Sequence, residues 1–177
     1  MPEALTQLAP CDQQAIRLGI AKDNRPHRTL GFLTSLGPVA QPQFAMKFAS
    51  TRLIAADIKA LVSFYEKVTG QKAEWLAPVF AEIVTPAATL AFGSAETVSL
   101  FKEGSAEPAA NRTAIIEFQV DDLEAEFARL KDEVEVVHAP KMMPWGNCAA
   151  QFRDPEGTLV GLYTPVTDAA KQRFASR

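Results

Sequence analysis

Arg52-Leu-Ile-Ala-Ala-Asp57-Ile-Lys-Ala-Leu-Val-Ser-Phe-Tyr65 and Glu117-Phe-Gln-Val-Asp-Asp122-Leu-Glu-Ala-Glu-Phe-Ala-Arg-Leu130 state one grammar twice. In each, an extended apolar segment runs into an Asp, and an amphipathic helix follows. The two aspartates, Asp57 and Asp122, are 65 positions apart. An Asp at that place serves as an N-cap, because its carboxylate accepts from the unpaired N–H groups of the first turn and favours the positive end of the helix dipole. Each helix then has a single apolar stripe: Ile58, Leu61, Val62 and Tyr65 in the first copy, Leu123, Phe127 and Leu130 in the second. That is the pattern of a helix burying one face. Short strand patterns follow both helices. In the first copy they read as Phe80 to Val84, Thr89 to Gly93 and Thr97 to Phe101; in the second, as Val134 to His138, Cys148 to Arg153 and Leu159 to Tyr163. The expected fold class is α+β, with two tandem βαβββ modules at about residues 48–104 and 112–166.

A chain of 177 residues that is 47% hydrophobic can bury one sizeable core, and nothing in it asks for a second large domain. The net charge of -3 and the dispersed Lys and Arg residues argue against phosphate-backbone binding, so nucleic acid is not expected as a partner. No apolar run approaches the roughly 20 residues of a membrane-spanning helix. Met1 to Ala21 lacks the basic start and continuous apolar stretch of a signal peptide, so a cytoplasmic location without a membrane partner is expected. Cys11 and Cys148 lie far apart in unlike contexts and are expected as free thiols. Residues 1–45 carry Pro2, Pro10, Pro26, Pro38 and Pro42 and no sustained periodicity beyond a short helical stretch at Asp12 to Ala21. They read as a poorly ordered N-terminal extension or an upstream start, leaving residues 46–177 as a sufficient folding unit.

Three further pieces fall in order with the strand-Asp-helix openings: Phe-Tyr-x-x-x-x-Gly at Phe64 to Gly70, Pro-Trp-Gly-Asn at Pro144 to Asn147, and Phe152-Arg-Asp-Pro-Glu-Gly157. Together, over roughly Phe48 to Val166, they resemble the vicinal oxygen chelate superfamily of glyoxalase I, bleomycin-resistance proteins, extradiol dioxygenases and fosfomycin-resistance enzymes. The resemblance implies that both modules curve into one cleft, where first and last strands hold a divalent ion. The family pattern places a His seven residues before the capping Asp and a carboxylate seven residues after the Asp of Asp-Pro-x-Gly. Those places fall on Ser50, Ile115 and Gly161, and matching Gly161-Leu-Tyr163 to Ser99-Leu-Phe101 adds Ser99. None is an imidazole, thiolate or carboxylate donor. Neighbouring Ala49, Thr51, Ala114 and Ile116 supply no donor set, and His138 reads as a surface or hydrogen-bonded residue. Neither a metal nor another cofactor is expected.

Side chains alternate along a strand, so Ser50, Arg52 and Ile54 share the cleft side with Ile115, Glu117 and Gln119, while Leu53, Ala55, Ile116, Phe118 and Val120 face the helices. Arg52 and Glu117 are again 65 positions apart. They read either as an ion pair joining the modules or as charged handles for a ligand. Phe101 and Tyr163, at the ends of the expected last strands, and Trp145, in the Met142 to Asn147 loop, would supply aromatic walls; Trp75 is harder to place. The candidate binding set is thus Arg52, Phe101, Glu117, Gln119, Trp145 and Tyr163, with Glu117 as candidate general base. There is no Gly-x-Ser-x-Gly elbow, Walker loop or dinucleotide fingerprint. A mostly apolar cleft with a few polar groups is the ordinary form of a small-molecule site. The expected function is metal-independent binding of a small-molecule ligand, for sequestration or sensing, by a homodimer. The alternatives are a lyase, isomerase or dioxygenase of the same superfamily, using an unrecognised metal site or Glu117, and a structural or interaction module with no ligand.

Overall fold

Both aspartates cap helices. Asp57 Oδ1 accepts from the backbone N–H groups of Lys59 and Ala60, each at 3.0 Å, and α1 runs Ile58–Thr69. Asp122 Oδ1 accepts from Ala125 N at 3.0 Å, and α2 runs Leu123–Leu130. Helix α1 ends on Gly70 at φ 67°, a left-handed conformation that a Cβ would disfavour. Its buried stripe is the expected one with Phe64 and Val68 added. The structure, a computed structural model, describes residues 48–175, so the expectations about the N-terminal extension lie outside the described residues.

The strands are β1 Ser50–Ala55, β2 Glu74–Ala77, β3 Phe80–Val84, β4 Thr89–Ser94, β5 Ile115–Gln119, β6 Glu135–Met142, β7 Asn147–Arg153 and β8 Leu159–Pro165. They form two four-stranded sheets, ordered β1-β4-β3-β2 and β5-β8-β7-β6. In each sheet the first strand pairs parallel with the last and the other pairs are antiparallel. The same topology therefore occurs twice, as two tandem βαβββ modules. One expected strand is not a strand: Ala95–Leu100 is a 3₁₀ helix, and β2 completes the first module instead. The reason is local. Thr97 Oγ1 donates to Ser94 O at 2.7 Å and Ser99 Oγ donates to Glu96 O at 3.0 Å, so short hydroxyl side chains satisfy the carbonyls that a ladder would need.

The helices cover one face of each sheet and share a single core, in which Leu61, Tyr65, Ile83 and Phe92 of module 1 join Leu130, Ala150, Phe152 and Leu162 of module 2. Tyr65 links the two modules: its ring centroid lies 5.3 Å from that of Phe92 and 6.4 Å from that of Phe118, and its hydroxyl donates to Asp154 Oδ2 at 3.0 Å. Glu156 Oε1 accepts from Ala56 N at 2.7 Å, closing the end of β1 with a residue of the β7–β8 turn. Arg129 of α2 donates to Lys67 O at 2.7 Å and Val68 O at 3.1 Å, capping the C-terminal carbonyls of α1 with a cation.

Two further features depart from the sequence reading. A third helix, α3 at Asp168–Ala175, follows β8; Thr167 Oγ1 accepts from Ala170 N at 3.2 Å, a capping signal the Thr-Asp pair carried. The tight turn before β7 packs on Thr167, and a Cβ at Gly146, whose φ is 93°, would overlap the Thr167 side chain. Cys148 is not a free thiol: it is buried in β7 and disulfide-bonded, while Cys11 lies outside the described residues. Disulfides are decided by Cα spacing in the folded chain, which sequence separation does not report.

Candidate functional site

The face of each sheet turned away from the helices carries the candidate residues. Ala55, Leu53, Ile116 and Phe118 belong to the core or pack on it, whereas Ser50, Arg52, Ile115, Glu117 and Gln119 are exposed, as the alternation requires. Cross-strand register arranges this open face in rows. Arg52 stands beside Ala91, then Glu82, then Glu74; at the equivalent level of the second sheet Glu117 stands beside Gly161, then Gln151, then His138.

These rows correct one inferred ligand position. The residue equivalent to Gly161 is Ala91, in β4, rather than Ser99, which is exposed in the 3₁₀ helix. The four positions become Ser50, Ala91, Ile115 and Gly161, and none offers a donor suited to a transition metal. Among the described residues no group of three or more His, Cys, Asp or Glu is placed to hold a metal ion. The donor chemistry does not fit the family's divalent ion. His138 Nδ1 lies 2.9 Å from Ala139 O, in keeping with a hydrogen-bonded residue.

Arg52 and Glu117 do not pair. The ion pairs among the described residues are Lys67–Glu133, Lys72–Glu66 and Arg129–Glu126. Each open-face charge leans over its own sheet instead. The Arg52 stem crosses Gly93, where an added Cβ would stand 3.8 Å from its Cδ. Its guanidinium carbon lies 4.9 Å from the Phe80 ring centroid and 5.5 Å from that of Phe101. Attraction to the negative faces of two rings draws the cation inward along its own module. Glu117 folds over Gly161, whose added Cβ would stand 3.4 Å from Cγ and 3.5 Å from Oε1.

The remaining candidates separate. Phe101 is 73% exposed at the end of the 3₁₀ helix, not on a last strand. Trp145 is exposed in the β6–β7 turn, its carbonyl accepting from Arg173 Nη2 at 3.1 Å. Tyr163 is half-buried, with its ring centroid 5.4 Å from that of Phe174 on α3. Glu117 and Gln119 share a groove of about 790 Å³ along the edge of β5, with Thr51, Gly70, Thr89 and Ile115 in its walls. A second groove of about 830 Å³, between α3 and the start of α2, includes Gln119, Asp122, Lys171 and Phe174. Neither is lined by Arg52, Phe101, Trp145 or Tyr163, so the six candidates do not line a common groove. Phe80, which holds Arg52, was absent from the expected set. Its signal was the parity of β3, which puts Phe80, Glu82 and Val84 on the open face.

The fold has solved counterparts. A glyoxalase/bleomycin resistance protein/dioxygenase from Nocardioides superposes with a TM-score of 0.59 at 21% identity, covering 73% of this chain and 87% of that one. A glyoxalase/bleomycin resistance protein/dioxygenase family enzyme from Burkholderia phytofirmans PsJN gives 0.60 at 18% identity, covering 68% of this chain and 99% of that one. A glyoxalase-related enzyme from Fulvimarina pelagi gives 0.58 at 16% identity, covering 67% and 87%. No curated protein shows a significant match to the sequence. The family model described as Glyoxalase/Bleomycin resistance protein/Dioxygenase superfamily matches residues 47–162, and with the duplicated βαβββ topology this places the chain in that superfamily.

Proposed function

We propose that this protein binds a small organic molecule on the open face of its sheets without a metal of its own, and acts by sequestering or sensing that molecule. One observation carries the reading. The inferred ligand positions hold Ser50, Ala91, Ile115 and Gly161, yet the same face keeps Arg52 and Glu117 exposed and uncommitted to any ion pair among the described residues. A small-molecule site orients its ligand through placed polar groups, and Arg52 and Glu117 are exposed on this face to supply them. A second reading, a metal-free enzyme with Glu117 as general base, is favoured by that carboxylate lying over Gly161 with no hydrogen-bond donor among the described residues.

Elemental analysis of untagged protein purified without added metal is expected to find no stoichiometric zinc, iron, nickel or manganese. About one such ion per chain, lost on substituting open-face residues, would overturn metal independence. A thermal-shift screen of small organic molecules is expected to give saturable stabilisation, because a ligand that binds only the folded state raises its stability by mass action. Turnover of such a ligand, abolished by Glu117→Gln, would favour the enzyme.

A homodimer belongs to the same reading. Strands β5 and β6 lie at sheet edges and expose Ile115, Val136 and Val137, surfaces that a second copy would cover. Sedimentation equilibrium is expected to give a dimer mass, and a monomer mass across micromolar concentrations would remove the claim. No helix among the described residues is long and apolar enough to cross a membrane. The cytoplasmic location inferred from the sequence is part of this reading, and the Cys148 disulfide weighs against it, since reducing compartments keep thiols reduced.

A further inference from the structure

Arg52 differs from every other described arginine. Arg112 donates to Asn111 O, Arg129 to Lys67 O, Val68 O and Glu126, Arg153 to Gly157 O, and Arg173 to Trp145 O. Among the described residues Arg52 donates to no protein atom, although its guanidinium is held over the rings of Phe80 and Phe101. A guanidinium carries five N–H donors in a planar fork and no acceptor, and that fork matches the two oxygens of a carboxylate. The rings meet the cation through its π-system and leave the donors unspent. Beside it, Phe101 at 73% exposure extends an apolar surface on the same module. The nearest acid in its row is Glu82, two strands away, which places the Cα atoms on the order of 10 Å apart. A positioned, unspent fork next to an exposed aromatic ring recognises an anion with a flat apolar body.

We infer that Arg52, Phe80 and Phe101 form a subsite for an aromatic carboxylate, the carboxylate taken by the Arg52 fork and the arene lying on Phe101. This rests on the small-molecule reading above and names the class of ligand. A bare anion would leave the rings unused, and an organic cation would face the guanidinium.

The experiment uses the full chain and 1-naphthoate as probe, read by thermal shift and isothermal titration calorimetry, with acetate, inorganic phosphate and 1-naphthylmethylammonium beside it. Naphthoate is expected to bind saturably and the other three not. Arg52→Met should lower naphthoate affinity at least tenfold, Arg52→Lys by less, and Phe101→Ala several-fold. Arg52 and Phe101 are exposed, so the unliganded melting temperature of each variant should stay near that of the parent, which separates lost binding from lost folding. Glu82→Gln should tighten naphthoate by removing a competing charge. Undiminished naphthoate binding by Arg52→Met overturns the proposal, as does no naphthoate binding at millimolar concentration. Phosphate binding as tight as naphthoate overturns the aromatic part. Binding of the ammonium probe alone, lost on Glu117→Gln, overturns the carboxylate class while leaving the small-molecule reading standing; failure of this series together with the broad screen removes both.

Discussion

Tyr65→Ala is expected to lower the free energy of unfolding by about 4 kcal/mol, the middle of the range for deleting a buried aromatic side chain. The ring is fully buried and meets Phe64, Phe92 and Phe118, with centroids 5.1, 5.3 and 6.4 Å away. Phe92 lies in the first sheet and Phe118 in the second, so the cavity would open where the two modules share one core. Tyr65→Phe keeps the ring and removes only the hydroxyl that donates to Asp154 Oδ2 at 3.0 Å. Its expected cost is about 1.5–3 kcal/mol, the value of a hydrogen bond to a charged group. Burial, then the charge of Asp154, push the phenol pKa of Tyr65 upward, so it stays a donor throughout the range in which proteins fold. Denaturant unfolding of the parent and both variants checks the order. A Tyr65→Ala loss under about 1 kcal/mol would mean that the core yields around the missing ring and that the junction does not depend on it.

The contrast between Tyr65 and Leu130 marks how far the repeat can be read. Both are fully buried on equivalent helix faces, 65 positions apart, and the stripe announced each as apolar. Nothing in the spacing announces the Tyr65 hydroxyl or its partner Asp154, 89 positions away, because the bond belongs to the packing of one module on the other. Capping by Asp57 and Asp122 was legible since an N-cap is settled within three residues. Strand parity was legible for a similar reason: alternation follows from backbone geometry. Thr97 to Phe101 misled, because an alternating stretch is also what a 3₁₀ turn with hydroxyls bonded to nearby carbonyls presents. For Arg52 and Glu117 the face was right and the pairing wrong. A long side chain goes where its neighbours allow, and here Gly93 and Gly161 leave room over each charge's own sheet while two rings hold the cation. Sequence spacing determined which way these residues point and left open what they touch.

Asp154→Ala is expected to cost about 3–4 kcal/mol, and Asp154→Asn less than half of that. The carboxylate is 4% exposed and satisfies three donors: Thr158 N at 2.8 Å and Glu156 N at 2.9 Å on Oδ1, and Tyr65 OH at 3.0 Å on Oδ2. Alanine would strand these donors, each at a penalty of roughly 1–3 kcal/mol if no water reaches it. Asparagine keeps the Oδ1 acceptor, and the tyrosine hydroxyl can turn to accept from its amide. Charge distinguishes the parent from Asp154→Asn and makes their difference depend on pH. Burial raises the Asp154 carboxyl pKa above the usual carboxylate range, against the opposing pull of the Thr158, Tyr65 and Glu156 hydrogen bonds. A carboxyl whose folded pKa exceeds its unfolded one binds its proton more tightly in the folded chain. Its contribution to stability is therefore greatest at acid pH, falls as pH rises from the ordinary range through the folded value, and is level above it. Asparagine does not titrate, and the other groups largely cancel in the comparison, so the stability of the parent minus that of Asp154→Asn should decline as pH rises from about 4, the ordinary aspartate value, and level off above the folded pKa. Urea unfolding at stepped pH measures it. A difference that grows with pH would mean that the three donors outweigh burial, placing the Asp154 carboxyl below its ordinary range.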